Sequence, residues 1–255
     1  MLNEIQRQLF QLFRDFNEFC KENSIEFVSA YGTVLGAERH QGFIPWDDDI
    51  DIYMTISEYK KLLTILEKQC VESFRVDDWN HIEGYPYLFP KIVSKKGPRL
   101  KERAFQNLDY IGGLYIDIFI LIPVPDNRVF RMLEEKKRYC MYCIHKLFFM
   151  DTMYRKILRF PQKILNFSLN IIKFINSYYS RATKVYGKKC AESISFGEKY
   201  IIDYACLFPI KYESFEGMEI PVPGKSEVYL KQVYGDYLTL PPEEERISNH
   251  DFIYQ

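Results

Sequence analysis

The 255-residue chain is 47% hydrophobic, so it can bury a full core as one domain or as a domain with an insertion. Its six cysteines lack the spacing of a disulfide framework, and the chain starts directly with a polar, amphipathic segment. Both features argue against a small secreted protein and lead us to expect a cytoplasmic one. No apolar run reaches about 18 residues without a charge, so we expect no transmembrane helix.

The net charge of −1 hides an uneven distribution. Residues 128–189 contain 15 Lys and Arg against three acidic residues, a net charge of +12, whereas the rest of the chain carries −13. In this segment apolar and aromatic residues with helical periodicity alternate with the basic ones. The pattern is typical of a helix on a membrane surface, but also of a helical subdomain with a solvated basic face. No motif supports nucleic-acid binding, and we expect none.

The first predicted element is an amphipathic helix over residues 3–23. Its apolar residues recur at helical spacing, and Asn3 and Gln6 occupy the positions of a capping box at its start. We expect its apolar face to pack against a sheet.

A strand-to-helix turn is predicted next. Residues 25–31 indicate a strand, and Thr33 to His40 indicate a short helix, with Gly32 and Thr33 at the turn between them. Small residues at such a turn leave backbone N–H groups free to meet a phosphate. Alone this signal is weak, but an acidic motif follows it closely.

The acidic motif has four aspartates within five positions. Clustered carboxylates repel one another and are costly to bury unless positive charge lies among them. Apolar residues at 50, 52 and 54 alternate with polar ones, which predicts a strand with Asp49 and Asp51 on one face, about 6.5–7 Å apart. Such carboxylates, with others from the preceding loop, predict a site for a hard divalent cation such as Mg²⁺. The four residues are Asp47, Asp48, Asp49 and Asp51.

Two other interpretations of the motif are less favoured. An EF-hand calcium loop would also use Asp at 47, 49 and 51 and Glu at 58, but it needs glycine where this chain has Ile52. A solvated acidic loop would not be joined to Trp46 on one side and to an apolar strand on the other.

Later elements alternate between helix and strand. The pattern predicts a helix over 57–70, β-structure over 73–95 and a strand over 114–122 closed by Pro123 and Pro125. Further along, it predicts a hairpin over 210–223 that turns at Glu216-Gly217, and a helix over 226–234 that Gly235 stops.

Asp117 is the only charged residue of the predicted strand 114–122. An unpaired carboxylate within a buried strand is expensive, so a partner is implied. A cation shared with Asp49 and Asp51 is the favoured partner, and an Arg or Lys side chain is the alternative.

Four segments together resemble the LicD family of phosphotransferases, which is related to the fukutin-type proteins among the nucleotidyltransferase-fold enzymes. The resemblance implies an α+β fold, with a nucleotidyltransferase-like mixed β-sheet core flanked by helices. It divides the chain into a catalytic core (1–127), a basic helical insertion (128–189) and a C-terminal part that completes the catalytic domain (190–255). The segments are GTVLGAERHQGFIPWDDDIDI at 32–52, YLFPKIVSKKG at 87–97, GGLYIDIF at 112–119, and YLKQVYGDYLTLPPEEER at 229–246 with His250 following.

The resemblance also implies which residues hold metal. Asp49, Asp51 and Asp117 would be catalytic and would bind one or two Mg²⁺ ions, with Mn²⁺ as a substitute. Asp47 and Asp48 would be further ligands or would support the others.

Substrate contacts are implied as well. Gly32 and Thr33 would hold phosphate oxygens, with Thr33 where the fold more often has Ser. The other candidates are Arg39, His40, Lys91, Arg246 and His250. For Arg39, His40 and Lys91, ordinary structural roles are equally compatible with the sequence.

The implied reaction moves a substituted phosphate, typically phosphocholine from CDP-choline, to a sugar hydroxyl of a cell-surface glycan or glycolipid precursor. The expected partners are a CDP-linked donor and a glycan or lipid-linked glycan acceptor, and a lipid-linked acceptor would bring the protein to the inner membrane face. Two alternatives use the same site: a true nucleotidyltransferase that releases pyrophosphate, and a non-catalytic nucleotide-binding scaffold.

Overall fold

A computed structural model of the chain describes residues 2–82, 85–102, 110–133, 188–192, 201–248 and 252–254, together with residues 135, 136, 139 and 143. Most of the predicted insertion 128–189 therefore lies outside the described residues, and so does His250.

A mixed seven-stranded sheet organises the fold. In chain order its strands are β1 (Val28–Ser29), β2 (Asp51–Thr55), β3 (Phe74–Asp77), β4 (Lys91–Ser94), β6 (Tyr115–Val124), β7 (Lys189–Glu192) and β8 (Ile201–Asp203). Their spatial order is β1-β2-β6-β4-β3, while β7 pairs with the last part of β6 and β8 pairs with β7. Only β2 and β6 run parallel.

Helices and two small ribbons complete the described structure. The ribbons pair β9 (Lys211–Phe215) with β10 (Met218–Val222) and β5 (Leu100–Glu102) with β11 (Phe252–Tyr254). The helices are α1 (Glu4–Glu22), α2 (Tyr31–His40), α3 (Ile56–Leu66), α4 (Tyr204–Leu207) and α5 (Ser226–Tyr234), and residues 128–133 are also helical. This arrangement confirms the predicted α+β class with a mixed sheet. None of the helices in the described ranges combines the length and apolar character that a membrane crossing requires.

Buried apolar side chains cover both faces of the sheet. On one face, α1 packs against β6, and its Leu9, Leu12, Phe13 and Phe16 share one buried cluster with Ile118 and Ile120. Each such side chain contributes about 1.5–3 kcal/mol through its burial. The opposite face, which carries Tyr53 and Phe119, is covered by α2 and α5. Asp51 and Asp117 also project from that second face, because residues two apart on a strand share a face.

Several predicted elements are confirmed closely. Asn3 caps α1, with both hydrogen bonds of the capping box formed to Gln6. The β9–β10 hairpin turns at Glu216 and Gly217, whose φ angles of 51° and 78° are the positive values that a tight hairpin turn needs.

Several boundaries differ from the prediction, and α3, for example, ends at Leu66 rather than at residue 70. Helix α2 begins at Tyr31 rather than Thr33, because the Ala30 carbonyl already accepts the Thr33 and Val34 N–H groups. Strand β2 begins at Asp51. Strand β6 continues through Pro123, where β7 is the only described neighbour, and a strand with an open side tolerates a residue without an N–H.

Candidate active site

Four charged side chains lie at one level across neighbouring strands. Asp51 of β2 is in register with Asp117 of β6, Asp117 with Lys91 of β4, and Lys91 with Asp77 of β3. Register partners project from the same face of a sheet, so three carboxylates and one ammonium form a row. All four side chains are buried. A buried row of this kind is tolerated only where its charges compensate one another or meet ligands.

Lys91 provides the partner of Asp117. Its Nζ donates to Asp117 Oδ1 at 2.7 Å, and the same ammonium lies 3.2 Å from the ring centroid of Tyr115 and 4.1 Å from that of Tyr87. Of the two partners that the sequence left open for Asp117, the structure therefore shows the basic side chain. A metal ion shared with Asp49 and Asp51 stays a prediction.

Asp77, at the far end of the row, is compensated separately. Its carboxylate accepts from Arg75 Nε at 2.6 Å and from the Tyr110 hydroxyl at 2.9 Å. The next residue, Asp78, accepts from the Tyr59 hydroxyl at 2.6 Å and from the N–H of Asn80 at 2.8 Å. Asp78 thus holds the turn that follows β3.

Asp51 lies where negative charge exceeds positive charge. Burial, and then the carboxylates of Asp49, Asp117 and Asp47, raise the pKa of Asp51 well above its usual range, while Lys91 acts in the opposite direction. A carboxylate in this position would be stabilised by an added cation. The site therefore has the electrostatics that a cation-binding site requires.

A cleft of about 660 Å³ opens beside these carboxylates. That volume is in the range of small-molecule binding sites. One wall contains Gly32, Arg39, Trp46, Asp47, Asp49 and Asp51. The opposite wall comes from the end of α5 and the segment after it, and contains Tyr234, Asp236, Thr239, Leu240, Glu245 and Ile247. Two segments that are far apart in sequence, 32–52 and 229–246, thus face each other across the cleft.

Gly32 permits the close approach of Asp47 to the start of α2. A Cβ atom at residue 32 would lie only 2.5 Å from Asp47 Oδ2. The side chain at this position must therefore be absent for the carboxylate to stay where it is. Asp49 and Asp51 line the same wall. The predicted metal site of Asp47, Asp49, Asp51 and Asp117 stays a prediction.

Thr33 has a positioning contact. It is buried, and its Oγ1 accepts the backbone N–H of Asp51 at 2.9 Å, which fixes the first residue of β2 against α2. Thr33 and Lys91 are both absent from the residues that line the cleft. Thr33 contacts Asp51 and Lys91 contacts Asp117, and their predicted contacts with phosphate stay predictions.

Arg39 and His40 lie at the end of α2. Arg39 lines the cleft and donates to the Tyr237 carbonyl at 2.9 Å. The His40 ring packs edge-on against Trp46, with 6.4 Å between ring centroids. Burial, and then the charge on Arg39, lowers the pKa of His40 below its ordinary value. His40 is therefore neutral at pH 7, when it can act as a hydrogen-bonding group.

Arg246 holds the C-terminal wall. Its Nε donates to the Pro241 carbonyl at 2.9 Å, and its guanidinium lies 5.5 Å from the ring centroid of Trp46. Nearby, Ser248 Oγ donates to the Asp48 carboxylate. These contacts join the segment after α5 to the acidic loop and set the width of the cleft.

Two further residues position the site, and the sequence pattern did not single them out for that role. Gln6 is buried in α1, and its side-chain amide donates to the carbonyls of Ile44 and Asp47 at 3.3 and 2.9 Å. Tyr229 of α5 accepts the N–H of Tyr31 at 2.9 Å. Gln6 was recognisable as a polar residue on an apolar helix face, whereas nothing in the pattern distinguished Tyr229 from the other tyrosines.

The donor chemistry of the acidic wall suits a hard cation. Carboxylate oxygens are the ligands that Mg²⁺ prefers, and around Asp51 negative charge exceeds the positive charge of Lys91. Within the described ranges, however, no three Asp, Glu, His or Cys side chains converge into a preformed metal site. The aspartates would therefore need side-chain rotation to bind one ion together.

The chain is similar to one known protein over nearly its whole length and to others over part of it. Residues 24–174 match the family described as LicD/FKTN/FKRP, nucleotidyltransferase domain. The Haemophilus influenzae lipopolysaccharide cholinephosphotransferase LicD is 25% identical over 98% of this chain and 96% of its own length. An uncharacterized Rickettsia prowazekii protein is 32% identical over 42% of the chain and 44% of its own length. Mannosyltransferase regulator 4 of Saccharomyces cerevisiae is 30% identical over 45% of the chain and 10% of its own length.

Proposed function

The chain belongs to the LicD/FKTN/FKRP family, whose nucleotidyltransferase domain covers more than half of it, and we propose that it is a phosphotransferase that uses a CDP-activated donor. The observation that carries this proposal is the acidic cleft, with Asp47, Asp49 and Asp51 on one wall. A second support is the similarity, over almost the full length of both chains, to a protein named as a lipopolysaccharide cholinephosphotransferase. We therefore propose phosphocholine as the transferred group and a sugar hydroxyl of a glycolipid as its acceptor.

Phosphoryl transfer mainly requires charge neutralisation and alignment of the donor with the attacking hydroxyl. We propose that Asp47, Asp49 and Asp51 hold Mg²⁺, which when bound would neutralise the charge of the donor diphosphate. Arg39 lines the same wall, and its proposed role is to contact that diphosphate. Asp117 supports the cluster from the neighbouring strand, in register with Asp51.

Aromatic side chains in the cleft support choline as the donor alcohol. Tyr31, Trp46, Tyr234 and Tyr237 line the cleft together with the carboxylates. Aromatic faces attract a quaternary ammonium, which has no N–H groups to donate to a carboxylate. A polyol donor such as CDP-ribitol would gain nothing from these faces, so donor preference tests this part of the proposal.

We further propose peripheral association with an anionic membrane surface. The support is the net charge of +12 on residues 128–189, and the side chains of Val129 and Phe130, which are 64% and 62% exposed. Basic residues near anionic lipid contribute about 1 kcal/mol each. Flotation with phosphatidylglycerol vesicles, but not with phosphatidylcholine vesicles, would support this proposal, and flotation with neither would refute it.

Product identity tests the proposed reaction. Incubation with CDP-choline, Mg²⁺ and a glycolipid acceptor extract should transfer phosphocholine to the acceptor and release CMP, which chromatography of the nucleotides detects. A true nucleotidyltransferase would instead release pyrophosphate from CTP, and a non-catalytic scaffold would bind nucleotide without releasing either product. Because the same metal site serves all three possibilities, only the products distinguish them.

A further inference from the structure

The Lys91 ammonium is a fixed positive charge inside the protein. Its side chain is 2% exposed, and a lysine is almost never buried to this extent unless its charge is paired. Nζ lies 2.7 Å from Asp117 Oδ1 and within 5.1 Å of the ring centroids of Phe89, Tyr87 and Tyr115. One carboxylate and three aromatic faces therefore hold the ammonium in place.

The backbone keeps this charge beside the acidic cluster. Lys91 is the first residue of β4 and is in register with Asp117, which in turn is in register with Asp51. The segment before β4 is fixed by the Tyr85 hydroxyl, which donates to the Phe89 carbonyl at 2.8 Å. The distance between the ammonium and the cluster is thus set by strand pairing rather than by a mobile loop.

This placement bears on the number of metal ions. Two-ion sites use carboxylates that reach both ions, and the ions lie about 3.5–4 Å apart. Here the Lys91 ammonium already uses one oxygen of Asp117, the carboxylate that would have to reach a second ion. A divalent ion next to a buried ammonium would also experience strong repulsion, because screening is weak in the interior.

We infer that Lys91 is a built-in counter-cation that takes the place of a second metal ion, so that the site holds one divalent ion, bound by Asp47, Asp49 and Asp51. Lys91 is then a positioning residue, which acts through Asp117 and does not touch the donor. The inference rests on the proposed function, because it concerns the metal proposed there.

Counting bound Mn²⁺ tests the inference without measuring activity. Free Mn²⁺ is measured by electron paramagnetic resonance during titration of the purified full chain. We expect one bound ion for the wild type and one for Lys91→Arg, which keeps the charge. We expect two ions for Lys91→Met, which keeps the length of the side chain but releases Asp117.

A second variant guards against misfolding of Lys91→Met. The double variant Lys91→Met/Asp117→Asn contains neither charge, and it should fold and bind one ion, with folding checked by thermal unfolding. Two ions in the wild type, or one ion in folded Lys91→Met, would overturn the inference and leave the proposed phosphotransferase intact. No bound Mn²⁺ in the wild type would overturn the proposed metal dependence, and the inference with it.

Discussion

Asp51 and Asp117 stand side by side on the two parallel strands of the sheet, in direct register. Asp51 faces the cleft, whereas Asp117 is held by Lys91 on its other side. The register thus places the Asp51 carboxylate, which can contact a ligand, next to the Asp117 carboxylate, whose charge is already compensated by Lys91. This relationship explains how an acidic cluster can be built on two interior strands of a buried sheet.

The metal-free protein should lose stability as pH rises. The pKa of Asp51 is raised in the folded state, chiefly by burial and then by neighbouring carboxylates, so the folded state binds its proton more tightly than the unfolded state does. The stabilising effect of this proton is complete below the ordinary pKa of 3.8 and is lost as pH rises through the folded-state value. Each unit of pKa difference corresponds to about 1.4 kcal/mol.

Asp51→Asn should therefore be more stable than the wild type at pH 7 in EDTA, and its stability should depend less on pH. Urea unfolding between pH 4 and pH 8 measures both effects. Asp15→Asn, a substitution at a partly exposed position of α1, is the control and should follow the wild type. Identical pH profiles for Asp51→Asn and the wild type would contradict the electrostatic description of the site.

Gly32→Ala should lower metal affinity and activity with little loss of stability. A Cβ atom at residue 32 would displace the Asp47 carboxylate, which is the movable end of a side chain. The free energy of unfolding should therefore change by less than about 1 kcal/mol. Mn²⁺ affinity and activity should fall at least about tenfold, because metal ligation depends on where that carboxylate lies.

Gly36→Ala is the matched control on the same helix. There the added Cβ would meet the backbone carbonyl oxygen of Gly42, which cannot move away by rotation of a side chain. We expect a loss of about 1–3 kcal/mol in the free energy of unfolding, as for other overpacked sites. The two variants should therefore differ in both thermal unfolding and Mn²⁺ titration, and an equal loss of stability would count against the role given to Gly32.

Tyr229→Phe should destabilise the N-terminal end of α2. It removes a hydroxyl that accepts the Tyr31 N–H and lies 3.0 Å from the Tyr53 hydroxyl. The partly buried Tyr31 N–H then loses this acceptor. The expected cost is about 1–3 kcal/mol in unfolding free energy. Tyr59→Phe, which removes a bond to Asp78 away from the cleft, should be destabilising to a similar degree. Only Tyr229→Phe should raise the KM for the donor, and an equal KM in both variants would refute the positioning role of Tyr229.

Local signals were sufficient for much of the fold. The capping box of α1, the positive-φ turn at Glu216-Gly217 and the stop at Gly235 depend on residues that are adjacent in sequence, and each was predicted correctly. The acidic motif was also recognisable, because four aspartates beside an alternating strand have few structural explanations.

The environment of Asp117 depends on non-local pairing. The sequence showed that this residue needs a partner, but the choice between a shared metal ion and a basic side chain depended on the register between β4 and β6. That register also buries Lys91, which the sequence suggested as a diphosphate contact. The opposite wall of the cleft depends in the same way on how the segment after α5 folds back over Trp46.

CMP release is the most direct measure of whether the aspartates on the acidic wall of the cleft catalyse phosphotransfer. The assay uses CDP-choline, Mg²⁺ and a glycolipid acceptor extract, and compares the wild type with Asp49→Asn and Asp48→Asn. Asp49 lines the cleft, whereas Asp48 accepts from Ser248 and is not on that wall. We expect the wild type to release CMP and Asp48→Asn to release nearly as much. Asp49→Asn should release at least about a hundredfold less, the usual scale for loss of a catalytic charge. Equal CMP release from the wild type and Asp49→Asn would contradict a catalytic role of the acidic wall.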